Sequence, residues 1–246
     1  MISYARTDTG RVRKMNQDSI FASSEPVGML PNLFIVADGM GGHKAGDYAS
    51  RFVVEQIVSM AGEFHHMDTV MFLRKAIEEV NSRLYDESLR NPDFEGMGTT
   101  LVLAVVENDT MYVANVGDSR LYLLRDNLEQ ITRDHSLVEE MVSLGKMERG
   151  SESYKSQKNI ITRAVGIIPY VEVDFFEVPL QECDCVLMCS DGLTNMVGDD
   201  GISKILKTTD TLEEKTESLI AKANENGGKD NIAVILVEPQ ISEVRV

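Results

Sequence analysis

Residues 100–124 read TLVLAVVENDTMYVANVGDSRLYLL. The segment holds three apolar runs of strand length, Thr100 to Val106, Met111 to Val116 and Arg120 to Leu124, rich in residues that suit a pleated surface. Glu107-Asn108-Asp109 separates the first two runs and Arg125-Asp126-Asn127 follows the third, and both triplets carry residues that favour a hairpin reversal. Strands grouped in this way, without a helix between each pair, imply antiparallel pairing and not the parallel sheet of a βαβ repeat. Further strands are expected at Leu33 to Ala37, Cys185 to Cys189 and Ile232 to Val237.

Two amphipathic helices are predicted between the first of these strands and the hairpins. Asp47 sits at the cap of one, followed by Ala49, Phe52, Val53, Ile57 and Met60; Asp68 precedes the other, with Val70, Leu73, Ile77, Val80 and Leu84. A third begins at Thr211, where Glu214 completes a capping box, and stops at Asn226-Gly227-Gly228. A helix with one apolar face must pack on a sheet, so an α+β layered sandwich follows. Ser143 to Ile160 is rich in Ser, Glu, Lys and Gly and shows little periodicity, which reads as a surface loop or as a flap beside an active site.

With 246 residues, 43% of them apolar, and no polar linker or repeat, one domain spanning 1–246 is expected. The net charge of −16 would repel nucleic-acid and anionic-lipid backbones, so neither is an expected partner. The N-terminal stretch MISYARTDTGRVRKMNQD lacks a secretory apolar core, and no apolar run approaches the roughly 20 residues that span a bilayer, so a cytoplasmic location is expected. Cys183, Cys185 and Cys189 are odd in number and confined to one apolar stretch. They read as reduced core thiols on one face of a strand, since a zinc site would lack its fourth ligand.

Four aspartates stand where an apolar run meets a turn. Asp38 ends LFIVAD, Asp118 lies in ANVGDSR, Asp191 closes CVLMCSDG and Asp230 opens DNIAVILV. Antiparallel neighbours would bring all four to one edge of the sheets, where Asp18 of RKMNQDS could join them. One Asp beside a Gly is an ordinary turn residue, but four at strand ends are a pattern. Clustered carboxylates repel and would protonate or spread apart unless a cation held them. With oxygen ligands only, and no HExxH, His-x-His or paired CxxC, the cluster predicts Mg²⁺ or Mn²⁺ over zinc or copper.

The loop Gly39-Met40-Gly41-Gly42 superficially suggests nucleotide binding. Lys44, however, falls where a dinucleotide fingerprint needs its third glycine, and no GK[ST] occurs. Asp38 would also face a pyrophosphate with a bare carboxylate. With a metal bound the conflict disappears, because the Gly39 carbonyl can approach the cation while phosphate binds from the other side.

In order, RKMNQD, VADGMGGH, GTT, NVGDSR, ITRAVG, CSDGLTN and GKDNI extend from Arg13 to Asn231. The ordered set resembles the PPM/PP2C family of metal-dependent serine/threonine phosphatases, the bacterial members above all. The resemblance implies a four-layer αββα sandwich, two central antiparallel β-sheets flanked by helices, with a centre of two Mn²⁺ or Mg²⁺ ions at one end. It implies that Asp38 bridges both metals, that Asp191 and Asp230 complete the first site, and that the Gly39 carbonyl serves the second with Asp18 supporting it through water. A third, looser ion would use Asp118 with Asp191. Arg13 is similar to the family's phosphate-binding arginine, and Asn231 would orient Asp230. Two positions depart from the eukaryotic pattern: Gln17 replaces a glutamate, and Met40 replaces the histidine proposed as general acid. His43 or a water is then left to protonate the leaving group, and His135 reads as a residue that fastens a turn.

The implied activity is hydrolysis of phosphoserine and phosphothreonine on other proteins by a metal-activated water, without a covalent intermediate. Substrates would include a Ser/Thr protein kinase of the same cell. Other phosphatase chemistries are excluded by spelling: no cysteine has an arginine six positions later, there is no DxDx[TV], and none of the four histidines lies in a GNH motif. A catalytically inactive signalling scaffold is the alternative, and a phosphatase specialised for one anti-anti-sigma protein would share the same site. A monomer is expected. The net acidity predicts better tolerance of basic or neutral residues than of acidic ones beside the phosphoresidue.

Overall fold

Two-residue periodicity in the buried strands sorts their side chains into layers. The computed structural model describes residues 1–42 and 44–240. The chain opens with β1 (Ile2–Asp8), β2 (Asp18–Ser23) and β3 (Leu33–Met40), followed by α1 (Ala45–Glu63) and α2 (Thr69–Arg90). Next come β4 (Gly98–Thr99), β5 (Leu101–Glu107), β6 (Thr110–Val116), β7 (Arg120–Leu124) and β8 (Leu128–Gln130). Then α3 (Leu137–Ser143) and α4 (Glu152–Gln157) precede β9 (Asp174–Pro179) and β10 (Cys185–Cys189). The order closes with α5 (Asp191–Thr194), α6 (Asp199–Leu206), α7 (Leu212–Glu225) and β11 (Ile232–Glu238).

One sheet runs β1-β11-β10-β7-β8 and the other β2-β3-β5-β6-β9, with β4 attached to β3. Every strand pairing is antiparallel. On β3, Phe34 and Val36 face the partner sheet, where they meet Leu121, Met188, Ala233 and Ile235; Leu33, Ile35 and Ala37 face α1 and α2. On β11, Ile232, Val234 and Leu236 turn the other way, into a third cluster with α6 and α7. These three clusters are the interfaces of a four-layer αββα sandwich, as the resemblance implied. Central strands apolar on both faces leave continuous runs in the sequence, which is why β5 and β11 were legible. A fully buried side chain such as Ile235 or Leu103 would cost about 2–5 kcal/mol on truncation to alanine.

The predicted turns form. Glu107↔Thr110 closes the β5–β6 hairpin, with Asn108 at a φ of 58°, and Leu124↔Leu128 closes β7–β8. Asp68 caps α2 by accepting from the Met71 N–H at 2.8 Å, and Thr211 and Glu214 form the reciprocal capping box of α7. Five strands were not anticipated: β4 is two residues long, and β1, β2, β8 and β9 are edge strands whose largely half-buried residues leave no apolar run. The short helices α3, α4, α5 and α6 also carry too few turns to show a period.

Two local expectations are corrected. Asp47 lies in the first turn of α1 and is not its cap, which is Lys44. A Cβ on Gly39 would stand 2.0 Å from the Gly46 carbonyl, so the first turn of α1 packs backbone to backbone on the end of β3. Cys185 and Cys189 are buried in β10 as expected, whereas Cys183 is exposed in the preceding turn at a φ of 68°. Among the described residues no helix is long and apolar enough to cross a membrane.

Candidate metal centre

Strand order decides which aspartates meet. Asp18 opens β2 and stands opposite Asp38 of β3 in the antiparallel register. Asp118 sits in Gly117-Asp118-Ser119, where the chain passes from β6 in one sheet to β7 in the other. Asp191 follows β10 and Asp230 precedes β11, two neighbouring strands. A cavity of about 380 Å³ at this end of the sandwich is lined by Asp38, Gly39, Asp118, Asp191 and Asp230, together with Arg13. Asp18 does not line it. It lies behind Asp38, 6% exposed.

Backbone and hydroxyl groups fix the acids from behind. The Asp38 N–H donates to Thr100 Oγ1 at 3.0 Å, while the Thr100 N–H and the Thr99 hydroxyl both donate to the Asp38 carbonyl at 2.9 Å. Ser190 donates to Asp18 Oδ2 at 2.7 Å and so ties one sheet to the other. Asn195 donates to Asp191 Oδ2 at 2.8 Å. His135 fastens the crossover as expected: the Gly117 N–H donates to its Nδ1 at 3.1 Å, and its backbone N–H donates to the Gly117 carbonyl at 2.9 Å. Burial lowers its pKa, keeping the acceptor nitrogen free of a proton.

Asn231 reaches Asp230 through its backbone. Its backbone N–H, not its side chain, donates to Asp230 Oδ1 at 2.9 Å. The side chain instead pins the N-terminal loop, accepting from Gln17 N–H and donating to the Thr9 and Met15 carbonyls, each at 2.9 Å. That loop carries Arg13, whose guanidinium donates to Asp230 Oδ2 at 2.8 Å. Gln17 donates to the Gly42 carbonyl at 3.0 Å and steadies the glycine loop. Met40 lines the cavity without a titratable group, and His43 lies outside the described residues.

Among the described residues no three acidic, histidine or cysteine side chains close around a single point. The carboxylates line an open cavity instead, and their burial sets a chemical demand. Burial is the largest cause of a raised pKa at each of four: Asp18 rises to about 7, Asp118 to about 8, Asp191 to about 6, and Asp38 well above its usual value. Neighbouring charge adds to this, from Asp191 at Asp18 and Asp118, from Asp230 at Asp191 and from Asp18 at Asp38. Asp18 Oδ1 and Asp191 Oδ1 are buried with no hydrogen-bond donor. Buried acceptors without donors cost about 1–3 kcal/mol each unless something positive satisfies them. A donor set of carboxylates and a carbonyl fits a hard divalent cation.

The Ser143 to Ile160 stretch meets this cavity near its C-terminal end, through Asn159. Leu137 N–H donates to the Ile160 carbonyl at 2.8 Å, Ser136 bridges to Ile161, and Asn159 and Ile161 line the cavity. Sequence reasoning gave no role to Ser190, Thr100 or Ser119, although all three lay inside the motifs CSDGLTN, GTT and NVGDSR. Thr100 and Ser119 share a 2.8 Å hydrogen bond that buttresses the crossover.

A family model described as protein phosphatase 2C matches residues 9–236. The chain is 45% identical over 247 aligned residues to the serine/threonine phosphatase stp of Listeria monocytogenes, covering 97% of this chain and 96% of that one. It is 39% identical to the protein phosphatase PhpP of Streptococcus pneumoniae, covering 94% of each. The solved structure of the Streptococcus agalactiae serine/threonine phosphatase superimposes with a TM-score of 0.90 at 37% identity, covering 97% of this chain and 99% of that one.

Proposed function

This chain belongs to the protein phosphatase 2C family and is a metal-dependent protein serine/threonine phosphatase, and we propose that Asp38, Asp191, Asp230, Asp118, Asp18 and the Gly39 carbonyl hold its Mn²⁺ or Mg²⁺ ions. Two ions are assigned to Asp38, Asp191, Asp230 and Gly39, and a third to Asp118 with Asp191. One observation carries the assignment: carboxylates from four separate segments, Asp38, Asp118, Asp191 and Asp230, line one cavity beside the guanidinium of Arg13, and Asp191 presents there a buried oxygen with no hydrogen-bond donor.

When bound, divalent ions lower the pKa of an attacking water and offset the charge of the phosphoryl oxygens. The chain's own residues do the rest. Arg13 presents a planar fork to two phosphoryl oxygens, and the Asn231 side chain holds its loop in place. Ser190 and Asp18 keep the two sheets in register beneath the centre. Among the described residues the cavity wall holds no histidine, so proton delivery to the departing Ser or Thr alkoxide falls to water or to His43. Substrates are phosphorylated proteins, a Ser/Thr kinase of the same cell among them, acted on by a monomer in the cytoplasm. The flap assignment for Ser143 to Ile160 belongs to this reading, supported by Asn159 on the cavity wall. Nothing in the site favours the inactive scaffold, since every expected aspartate is present.

The test is turnover of p-nitrophenyl phosphate and a phosphothreonine peptide with Mn²⁺, in the wild type and in Asp38→Ala and Asp191→Ala. Both substitutions abolish activity, as does EDTA. A folded variant that retains a tenth of wild-type turnover would sink the assignment.

A further inference from the structure

Beside the catalytic cavity lies a second hollow of about 200 Å³, lined by Lys158, Asn159, Gly192, Asn195, Met196, Lys229 and Asp230. Asp230 and Asn159 line both, so the two hollows are contiguous. The phosphatase reading of the first cavity leaves the second without a role. Its charge is unusual for this chain, which carries 40 acidic and 24 basic residues. Two of its lining residues are lysines, and its one acid, Asp230, is paired with Arg13 at 2.8 Å.

Among the described residues neither Lys158 nor Lys229 forms an ion pair. Their stems are nevertheless placed. Lys158 is half-buried at the end of the flap stretch, just past α4. The Lys229 chain runs beside Gly227 and Met196: a Cβ on Gly227 would stand 3.7 Å from Lys229 Cγ and 3.8 Å from both its Cε and the Met196 sulfur. Asn195 is committed to Asp191, so the two ammonium groups, with the Asn159 amide, are the side-chain donors left to face a ligand. Two cations beside a site built for a phosphate monoester suit a second anion on the same substrate; the attraction is stronger at half-buried Lys158, where water screens less, than at exposed Lys229.

We propose that Lys158 and Lys229 form a subsite for a second anionic group on the phosphopeptide, a carboxylate or a further phosphate close to the residue being dephosphorylated. The inference rests on the phosphatase reading of the adjoining centre, and it reverses the flank preference that net charge alone predicts. Local charge at the mouth outweighs the distant acidic surface because salt screens beyond about 8–10 Å.

The experiment is steady-state kinetics with Mn²⁺ on phosphothreonine peptides identical except for a neighbouring position occupied by alanine, glutamate, a non-hydrolysable phosphonate or lysine. In the wild type kcat/KM is expected to be highest for the two anionic peptides and lowest for the lysine peptide, with the difference residing in KM. Lys158→Ala/Lys229→Ala lowers kcat/KM by about five- to tenfold on the anionic peptides and less than twofold on the alanine peptide, while Lys229→Arg keeps the preference. A gain with phosphonate but not glutamate identifies a phosphate-selective subsite; a gain with both identifies a charge-selective one. Equal slowing of the alanine and anionic peptides, or a wild-type preference for lysine, overturns the proposal while leaving the phosphatase reading intact. Hydrolysis of none of the peptides, nor of p-nitrophenyl phosphate, overturns both.

Discussion

The Ser190 hydroxyl donates to Asp18 Oδ2 at 2.7 Å and accepts the Ala233 N–H at 2.9 Å, joining the end of one sheet to the start of a strand in the other. Ser190 is fully buried. Its replacement by alanine strands a buried carboxylate oxygen and a buried N–H together, at about 1–3 kcal/mol for each unsatisfied group. Ser190→Ala is therefore expected to lower thermal stability and to raise the Mn²⁺ concentration needed for half-maximal activity by about 10-fold or more. Differential scanning calorimetry and a metal titration of activity check the two halves; unchanged metal dependence would show that Asp18 plays no part in the centre.

Raised pKa values at Asp18, Asp118 and Asp191 turn into a pH-dependent metal effect. A carboxyl whose folded pKa lies above its unfolded value keeps its proton longer in the folded state. Its contribution to stability is full below about pH 4 and is lost as pH rises through the folded values, about 6 to 8 at these residues. A divalent cation replaces those protons. The Tm gained on moving from EDTA to Mn²⁺ is thus expected to be larger at pH 8 than at pH 5.5, with proton release detectable by calorimetry in two buffers. An equal Tm gain at both pH values would contradict the linkage.

What was legible in the sequence follows from physics. Doubly buried strands such as β3, β5 and β11 write unbroken apolar runs, and an aspartate at the end of such a run stands out. Asp38, Asp118, Asp191 and Asp230 were found that way and line one cavity. Edge strands β1 and β2 alternate too weakly to be seen, so the backbone that brings Asp18 against Asp38 came from the motif and not from periodicity. Hydroxyls such as Ser190 and Thr100 carry no pattern of their own, because their role depends on partners 172 and 62 residues away. Lys229 was hidden for the same reason: its neighbour Lys158 belongs to a stretch with no period at all.

That stretch is held by one acid. Glu139 of α3 is buried, accepts from the Tyr154 hydroxyl of α4 at 2.6 Å and pairs with Arg149 in the connecting turn. Arg149 is largely exposed, so its share is screened and small, and the Tyr154 contact dominates. Glu139→Gln is expected to ease local opening by about 1 kcal/mol, which is about fivefold faster amide exchange across 144–160. Activity on p-nitrophenyl phosphate should stay near the wild-type level while kcat/KM on a phosphoprotein changes. Hydrogen exchange resolved by mass spectrometry decides it, and unaltered protection in 144–160 would remove Glu139 as the latch.

Arg13 tests the substrate end of the site. Its guanidinium is exposed enough to exchange partners, and its bond to Asp230 Oδ2 raises its pKa, so it stays charged throughout the working range. A planar fork that meets two phosphoryl oxygens is lost on truncation and only partly restored by a lysine, which offers a point charge. Arg13→Ala is expected to reduce kcat/KM on the order of 10²-fold, and Arg13→Lys to recover less than half of that loss on a logarithmic scale. Competitive inhibition by inorganic phosphate should weaken in parallel, because product and substrate present the same oxygens. Full rescue by lysine, or unchanged phosphate inhibition in Arg13→Ala, would place the phosphoryl group elsewhere and leave Arg13 as a structural partner of Asp230.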